Sequence, residues 1–176
     1  ELLLRACTEV ESLCKQVFEK NNIKIPNRDG IVRYSDLDAV MKLSEYKIGC
    51  VRSDLPDFHP FISFTEQDSK KVSPDWYKAY NKVKHNRCNL FHMASLENVI
   101  KAVGGVYVLL IAQYGCHVDN ITYRGYVGLP MSPGLYRESV HPTWPQSEQY
   151  DFDWGALMKL PEADRYIYAP IQKRFP

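Results

Sequence analysis

Residues 99–112 constrain this chain more than any other stretch. They carry one charge, Lys101, and otherwise only aliphatic residues, two glycines and a tyrosine. A segment that is apolar around its whole circumference has to be enclosed, so it predicts a central helix over Leu96–Tyr114 with other elements packed around it. Ser95, three residues before Asn98, stands where a cap belongs. Gly104 and Gly105 in the middle should cost about 1 kcal/mol each relative to alanine, which is tolerable where another helix backbone packs closely. The apolar run 103–114 is shorter than the roughly 20 residues that a membrane span needs. The expectation is a soluble, cytoplasmic protein with no membrane association.

The segment that leads into this helix has the opposite character. From Trp76 through Ser95 there is no acidic residue, while Lys78, Lys82, Lys84 and Arg87 contribute cations. Asn81, His85 and His92 add further polar groups to the same window. Ser73, Pro74 and Asp75 give a capping residue, a proline at the first helical position and an acid in the first turn, which predicts a helix over 74–87. Trp76, Ala79, Tyr80 and Val83 supply its apolar face, and Asn81, Lys84, His85 and Cys88 align on the adjoining one.

Before this window, Leu3, Ala6, Val10, Leu13 and Val17 recur in steps of three and four, the stripe of an amphipathic helix over Leu2–Lys20. Arg5 with Glu9, and Glu11 with Lys15, are spaced as i,i+4 ion pairs. Glu9 lies near the apolar face, either as a solvated helix charge or as a residue turned into a site. The first residues read as helix interior, so further chain is expected upstream. Ser35 and Asp38 have capping-box spacing, and Leu37, Val40, Met41, Ser44 and Ile48 continue as a helix over 35–47. Residues 51–73 read as an irregular connection packed by Phe58, Phe61 and Phe64, with a short strand at 61–64. Beyond Gly115, prolines and glycines interrupt every pattern. Residues 116–176 are therefore expected to form an irregular aromatic extension packed on a bundle formed by 1–115, with one short helical turn at 153–160.

A formal net charge of +1 excludes a bulk polybasic protein, so binding to nucleic acid has to come from a local patch. The five cysteines are odd in number, scattered and without a CxxC pair, as expected of reduced thiols in a cytoplasmic protein. His85, Cys88 and His92 fall at i, i+3 and i+7, a spacing that puts soft metal ligands on one face, but a helix junction is expected inside that span. Cys88 beside His85 has the spacing of a nucleophile and its base, against the ordinary role of cysteine as a small buried hydrophobe. Arg87 and His92 at a helix junction are more informative. A histidine exchanges protons near neutral pH, and a guanidinium fork stabilises charge on a phosphate in transfer. The plain alternative is that His85 and Arg87 simply end a helix favourably, since cations suit a C-terminal turn.

The run from Trp76 to Arg87, followed by Phe91, by Ala94 through Val99 and by the apolar helix, resembles divergent bacterial members of the HEPN superfamily. The opening Leu4 to Glu11 is similar to their first helix, and the likeness covers roughly the first 115 residues. It implies a mostly α fold, a four- to five-helix bundle that dimerises, with no cofactor and no metal. Many such domains are metal-independent ribonucleases of toxin, CRISPR-associated and antiphage systems, marked by an arginine followed four to six residues later by a histidine. Arg87 and His92 fit that spacing, with Cys88 at the usual polar position. Asn81 and His85 fit a second register, in which Tyr80 stands where the arginine would be and Arg87 could supply the cation. The resemblance thus implies catalysis by His85 or His92 with Arg87 and Asn81, and RNA binding by Lys84, Lys82 and Lys78. It also implies a homodimer, and an antitoxin or a fused or partner defence protein. The alternative is a non-catalytic helical module that binds RNA, a nucleotide or a partner protein through the same face.

Overall fold

The computed structural model describes residues 1–51, 53–65, 72–114, 135–140 and 142, and over these the chain is mostly α-helical. The amphipathic stripe of the first segment becomes α1 (Leu2–Lys20), which buries Leu3, Ala6, Val10, Leu13 and Val17 together with Cys7, Cys14 and Phe18. It stops where the Asn21 side-chain amide donates to the Val17 carbonyl at 2.8 Å and Asn22 takes a positive φ of 55°. The expected charge pairs along α1 do not form. Arg5 reaches back to Glu1 at 2.9 Å, and Lys15 reaches forward to Glu19 at 3.4 Å while Glu11 is turned inward to Tyr77.

The apolar segment is α5 (Leu96–Tyr114), packed along α1 and against α3 (Asp75–His85). Ala102, Val108, Leu109, Ile111 and Ala112 are buried, whereas Val99, Val103, Val106, Tyr107 and Leu110 are only partly buried. The helix is therefore enclosed on one side and half-covered on the other, not sealed all round. By length and composition, Leu96–Gln113 is long and apolar enough to cross a membrane, with 39% of it buried, so counting residues does not exclude a span as expected. Its contacts with α1 and α3 are those of a core helix. A Cβ added at Gly104 would meet Ile48 Cδ1 at 2.8 Å and Phe58 Cζ at 3.0 Å, and one at Gly105 would meet Trp76 Cζ2 at 3.3 Å and Phe61 Cζ at 3.4 Å. Both glycines make room for side chains of their own chain rather than for a second helix backbone.

The helix expected over 35–47 is broken into pieces. A 3-10 helix at Gly30–Leu37 leads to the single turn α2 (Asp38–Met41), then a second 3-10 turn at Leu43–Glu45 and strand β1 (Lys47–Cys50). Asp38 causes the break. Its carboxylate does not close a capping box with Ser35 but accepts from the Ser44 N–H at 2.7 Å and the Ser44 hydroxyl at 2.9 Å. That local competition with the helix folds the chain back through Lys42 at φ 50°. The strand expected at 61–64 is a 3-10 turn, Ile62–Phe64, although Phe61 and Phe64 are buried as foreseen. Their rings lie 5.1 Å apart, and Trp76 stands edge-on to Phe61 with its indole N–H on the Pro60 carbonyl at 2.9 Å.

Strand β2 (Tyr136–Val140) lies within the span expected to be irregular and pairs antiparallel with β1, with Gly49 opposite Arg137 and Cys50 opposite Tyr136. A single bridge from Ile48 to Phe58 extends the sheet. Tyr136 ties β2 to the core helix: its hydroxyl donates to the Ile100 carbonyl at 2.6 Å and its ring stacks on Tyr107 at 5.4 Å. Asp57 holds the same strand through Arg137 at 2.9 Å and through the Ser139 hydroxyl. The turn expected at 153–160, Cys116 and the remainder of the extension lie outside the described residues.

Candidate functional site

The polar window is built on the end of α3. That helix starts at Asp75, one residue later than expected, with Pro74 as its cap residue and no side-chain cap from Ser73. The Pro74 carbonyl accepts from the N–H groups of Tyr77 and Lys78 at 3.0 Å each. Trp76, Tyr77, Ala79, Tyr80 and Val83 are buried. The helix ends at His85 because Asn86 adopts φ −145° and ψ 65°, after which α4 (Arg87–Leu90) and a 3-10 turn at Phe91–Met93 complete the junction. Ser95 then caps α5, its hydroxyl accepting from the Asn98 N–H at 3.3 Å, while the Asn98 side chain donates to the Met93 carbonyl at 2.9 Å.

This junction separates groups that the spacing aligned. With the helix broken at Asn86, His85, Cys88 and His92 do not share a face, and among the described residues no cluster of three histidine, cysteine or acidic side chains is placed to hold a metal. Cys88 is exposed, not the buried hydrophobe of the plain alternative, and makes no hydrogen bond with His85. Asn81 is half-buried, and His85, Arg87, His92, Lys78, Lys82 and Lys84 are exposed. Among the described residues no hydrogen bond or ion pair joins Asn81, His85, Arg87 and His92 to one another. Lys78 is paired with Asp75 at 2.9 Å, whereas Lys82, Lys84 and Arg87 form no ion pair among the described residues, Glu11 acting on Lys84 only as a weak electrostatic neighbour. Arg87 instead lies over the Phe91 ring, 5.7 Å from its centroid. The cations and His85 at the end of α3 also complement the helix dipole there.

Beneath the exposed segment runs a polar network that reading the sequence did not find. Glu11 on α1 accepts a 2.5 Å hydrogen bond from the Tyr77 hydroxyl. The Tyr77 ring lies 5.2 Å from Tyr80, and the Lys84 ammonium donates to the Tyr80 hydroxyl at 3.2 Å, with its nitrogen 5.2 Å from that ring. Burial first, and the bond to Glu11 second, push the Tyr77 phenol far above its ordinary value. Lys84 is held charged, chiefly by its hydrogen bond to Tyr80. Glu9, the acid singled out from its position, is exposed and takes no part. Tyr77, Tyr80 and Lys84 do sit at i, i+3 and i+7, a spacing that shows they share one edge of α3, but nothing local identifies Glu11 as their partner.

The arrangement presents exposed cations and two exposed imidazoles on a surface fixed to the core from below. It can bind anions and exchange protons with a bound molecule, and within one chain no hydrogen bond among the described residues ties its histidines, Arg87 and Asn81 together. Fold and surface together define a mostly helical domain with a small antiparallel sheet and a local basic face. Against known proteins, the chain matches no family model, no curated protein and no solved structure.

Proposed function

We propose that this chain is a HEPN-like, RNA-directed helical bundle acting as a metal-independent endoribonuclease of the toxin or antiphage kind in the cytoplasm. The observation that carries the proposal is the exposed side of the acid-free window from Trp76 to Ser95, where Lys82, Lys84 and Arg87 form no ion pair among the described residues while His85 and His92 stand open to solvent. A phosphodiester chain is the anion that needs this combination. Uncompensated cations hold its phosphates, and an imidazole moves the proton of the ribose 2′-hydroxyl or of the leaving 5′-oxygen. Since no hydrogen bond among the described residues ties Asn81, Arg87 and the histidines together within one chain, the active site is assembled from two copies facing each other across a homodimer. An antitoxin or a partner defence protein would control it.

The test is incubation of the purified protein with RNA in EDTA, with the product ends analysed. Cleavage should leave a 2′,3′-cyclic phosphate, because the ribose supplies the nucleophile. Replacing the acid/base histidine, His85 or His92, by alanine should lower the rate by about 10²–10⁴-fold, and replacing the other should have little effect. Cleavage that requires a divalent metal, or that survives both replacements, refutes the mechanism, and a monomer by sedimentation at micromolar concentration refutes the composite site. One observation favours the second reading, a non-catalytic RNA-binding module: Arg87 already engages Phe91 rather than a catalytic partner. RNA bound but never cut would select it.

A further inference from the structure

We propose that Phe91, backed by Arg87, is a stacking platform for an unpaired base of the RNA strand. This rests on the RNA-directed reading above and adds a specific contact to it. Phe91 is 56% exposed, although Met93 and Ala94, two and three residues on, pack against the core. The turn is held firmly, with the Ala94 N–H on the Phe91 carbonyl at 2.9 Å and the Asn98 side chain on the Met93 carbonyl at 2.9 Å. A lone exposed aromatic is ordinary on a protein surface. What distinguishes this one is its setting.

The Arg87 guanidinium carbon lies over the ring, 5.7 Å from its centroid, and the exposed part of the ring is open to a flat partner. The Arg87 side chain makes no hydrogen bond or ion pair among the described residues, so its N–H groups remain for a phosphate. The sequence window that holds the ring, residues 76–95, carries cations and no acid. The acids that border the window are already engaged, Asp75 by Lys78 at 2.9 Å and Glu97 by Lys101 at 2.6 Å, while Lys82 pairs with no acid among the described residues and Lys84 forms no ion pair, feeling Glu11 only as a weak electrostatic neighbour. An apolar protein segment would satisfy the ring and leave these cations unmatched. A nucleic-acid strand satisfies both, because a splayed base stacks on the aromatic face while its phosphates meet the cations. A base can reach such a platform only if it is unpaired.

The experiment measures binding of the full chain, by fluorescence anisotropy at two salt concentrations, to a labelled single-stranded RNA and to a duplex of the same length. Phe91→Ala should weaken single-strand binding by about 5- to 150-fold, the range for loss of one base stack, with little change for the duplex or in salt dependence. Phe91→Tyr and Phe91→Trp should restore binding, and Phe91→Leu should not, because the contact needs a π-face rather than apolar bulk. Unchanged melting of each variant excludes misfolding as the cause. If Phe91→Ala binds like wild type while Lys82→Ala and Lys84→Ala weaken binding, the platform is refuted and the RNA-directed reading survives. If wild type binds neither RNA at low salt, that reading fails and the platform fails with it. If Phe91→Ala instead converts a dimer into a monomer, the ring is a contact between copies and the platform is refuted.

Discussion

Tyr77 fixes α3 to α1 through one hydroxyl, and removing that hydroxyl tests whether the basic segment depends on the anchor beneath it. The ring is 3% exposed and packs at 6.0 Å from Trp76 and 5.2 Å from Tyr80. Tyr77→Phe keeps these contacts and deletes only the 2.5 Å bond to Glu11. A hydrogen bond to a charged group contributes about 1.5–3 kcal/mol net. Glu11 is half-buried, so water can replace part of the lost bond and the lower end applies, about 1.5 kcal/mol. For a chain of this size that corresponds to a fall in Tm of about 3–6 °C. Urea unfolding of wild type, Tyr77→Phe, Glu11→Ala and the double variant isolates the pair. The midpoint should fall without a change in slope, and the coupling energy should exceed about 1 kcal/mol. A coupling within the roughly 0.5 kcal/mol typical of independent sites would refute the anchor.

The two central glycines should behave differently. Gly104→Ala drives a methyl to 2.8 Å from Ile48, itself fully buried, and an overpacking cost of about 1–3 kcal/mol outweighs the roughly 1 kcal/mol gained in helix propensity. At Gly105 the nearest approaches, 3.3 and 3.4 Å, need only small shifts, so Gly105→Ala should be neutral or stabilising. Thermal melts that reverse this order would overturn the packing argument. In alkali, Cys7 and Cys14 should destabilise the fold, because burial raises both thiols far above the ordinary 9.0. With the folded-state value raised, their contribution is complete below the unfolded-state value and is lost as pH climbs above it. Each contributes a slope of about 1.4 kcal/mol per pH unit, and Cys14→Ala should flatten urea midpoints measured from about pH 8 to about pH 10. Cys88 is the exposed cysteine among the described ones, with Cys7, Cys14 and Cys50 buried. Cys88→Ser should therefore remove a fast-reacting thiol in native protein, and an unchanged fast phase in a thiol-labelling time course would contradict its exposure.

Much of the framework was legible in residue order because helices are local. The 3.6-residue stripe of Leu3 to Val17 and the apolar run around Val108 placed α1 and α5, and Ser95 caps α5 as its position implied. The acid-free window was legible for the same reason, since composition alone shows which cations lack neighbouring acids. Local patterns failed where a side chain had a choice of partners. Asp38 could close a capping box or reach forward to Ser44, and reaching forward broke the helix expected there. Glu11 could pair along its own helix with Lys15 and instead took the hydroxyl of Tyr77, 66 residues away. Strand β2 was invisible because its partner β1 lies far back in the chain, and Arg137 meets Asp57 across 80 residues. The sequence by itself determined where α1, α3 and α5 run and where positive charge gathers, since both depend on near neighbours. Tertiary structure decided which residues meet, separating His85 from His92 at Asn86 and setting Arg87 against Phe91, because such contacts follow from how elements pack and no local periodicity encodes them.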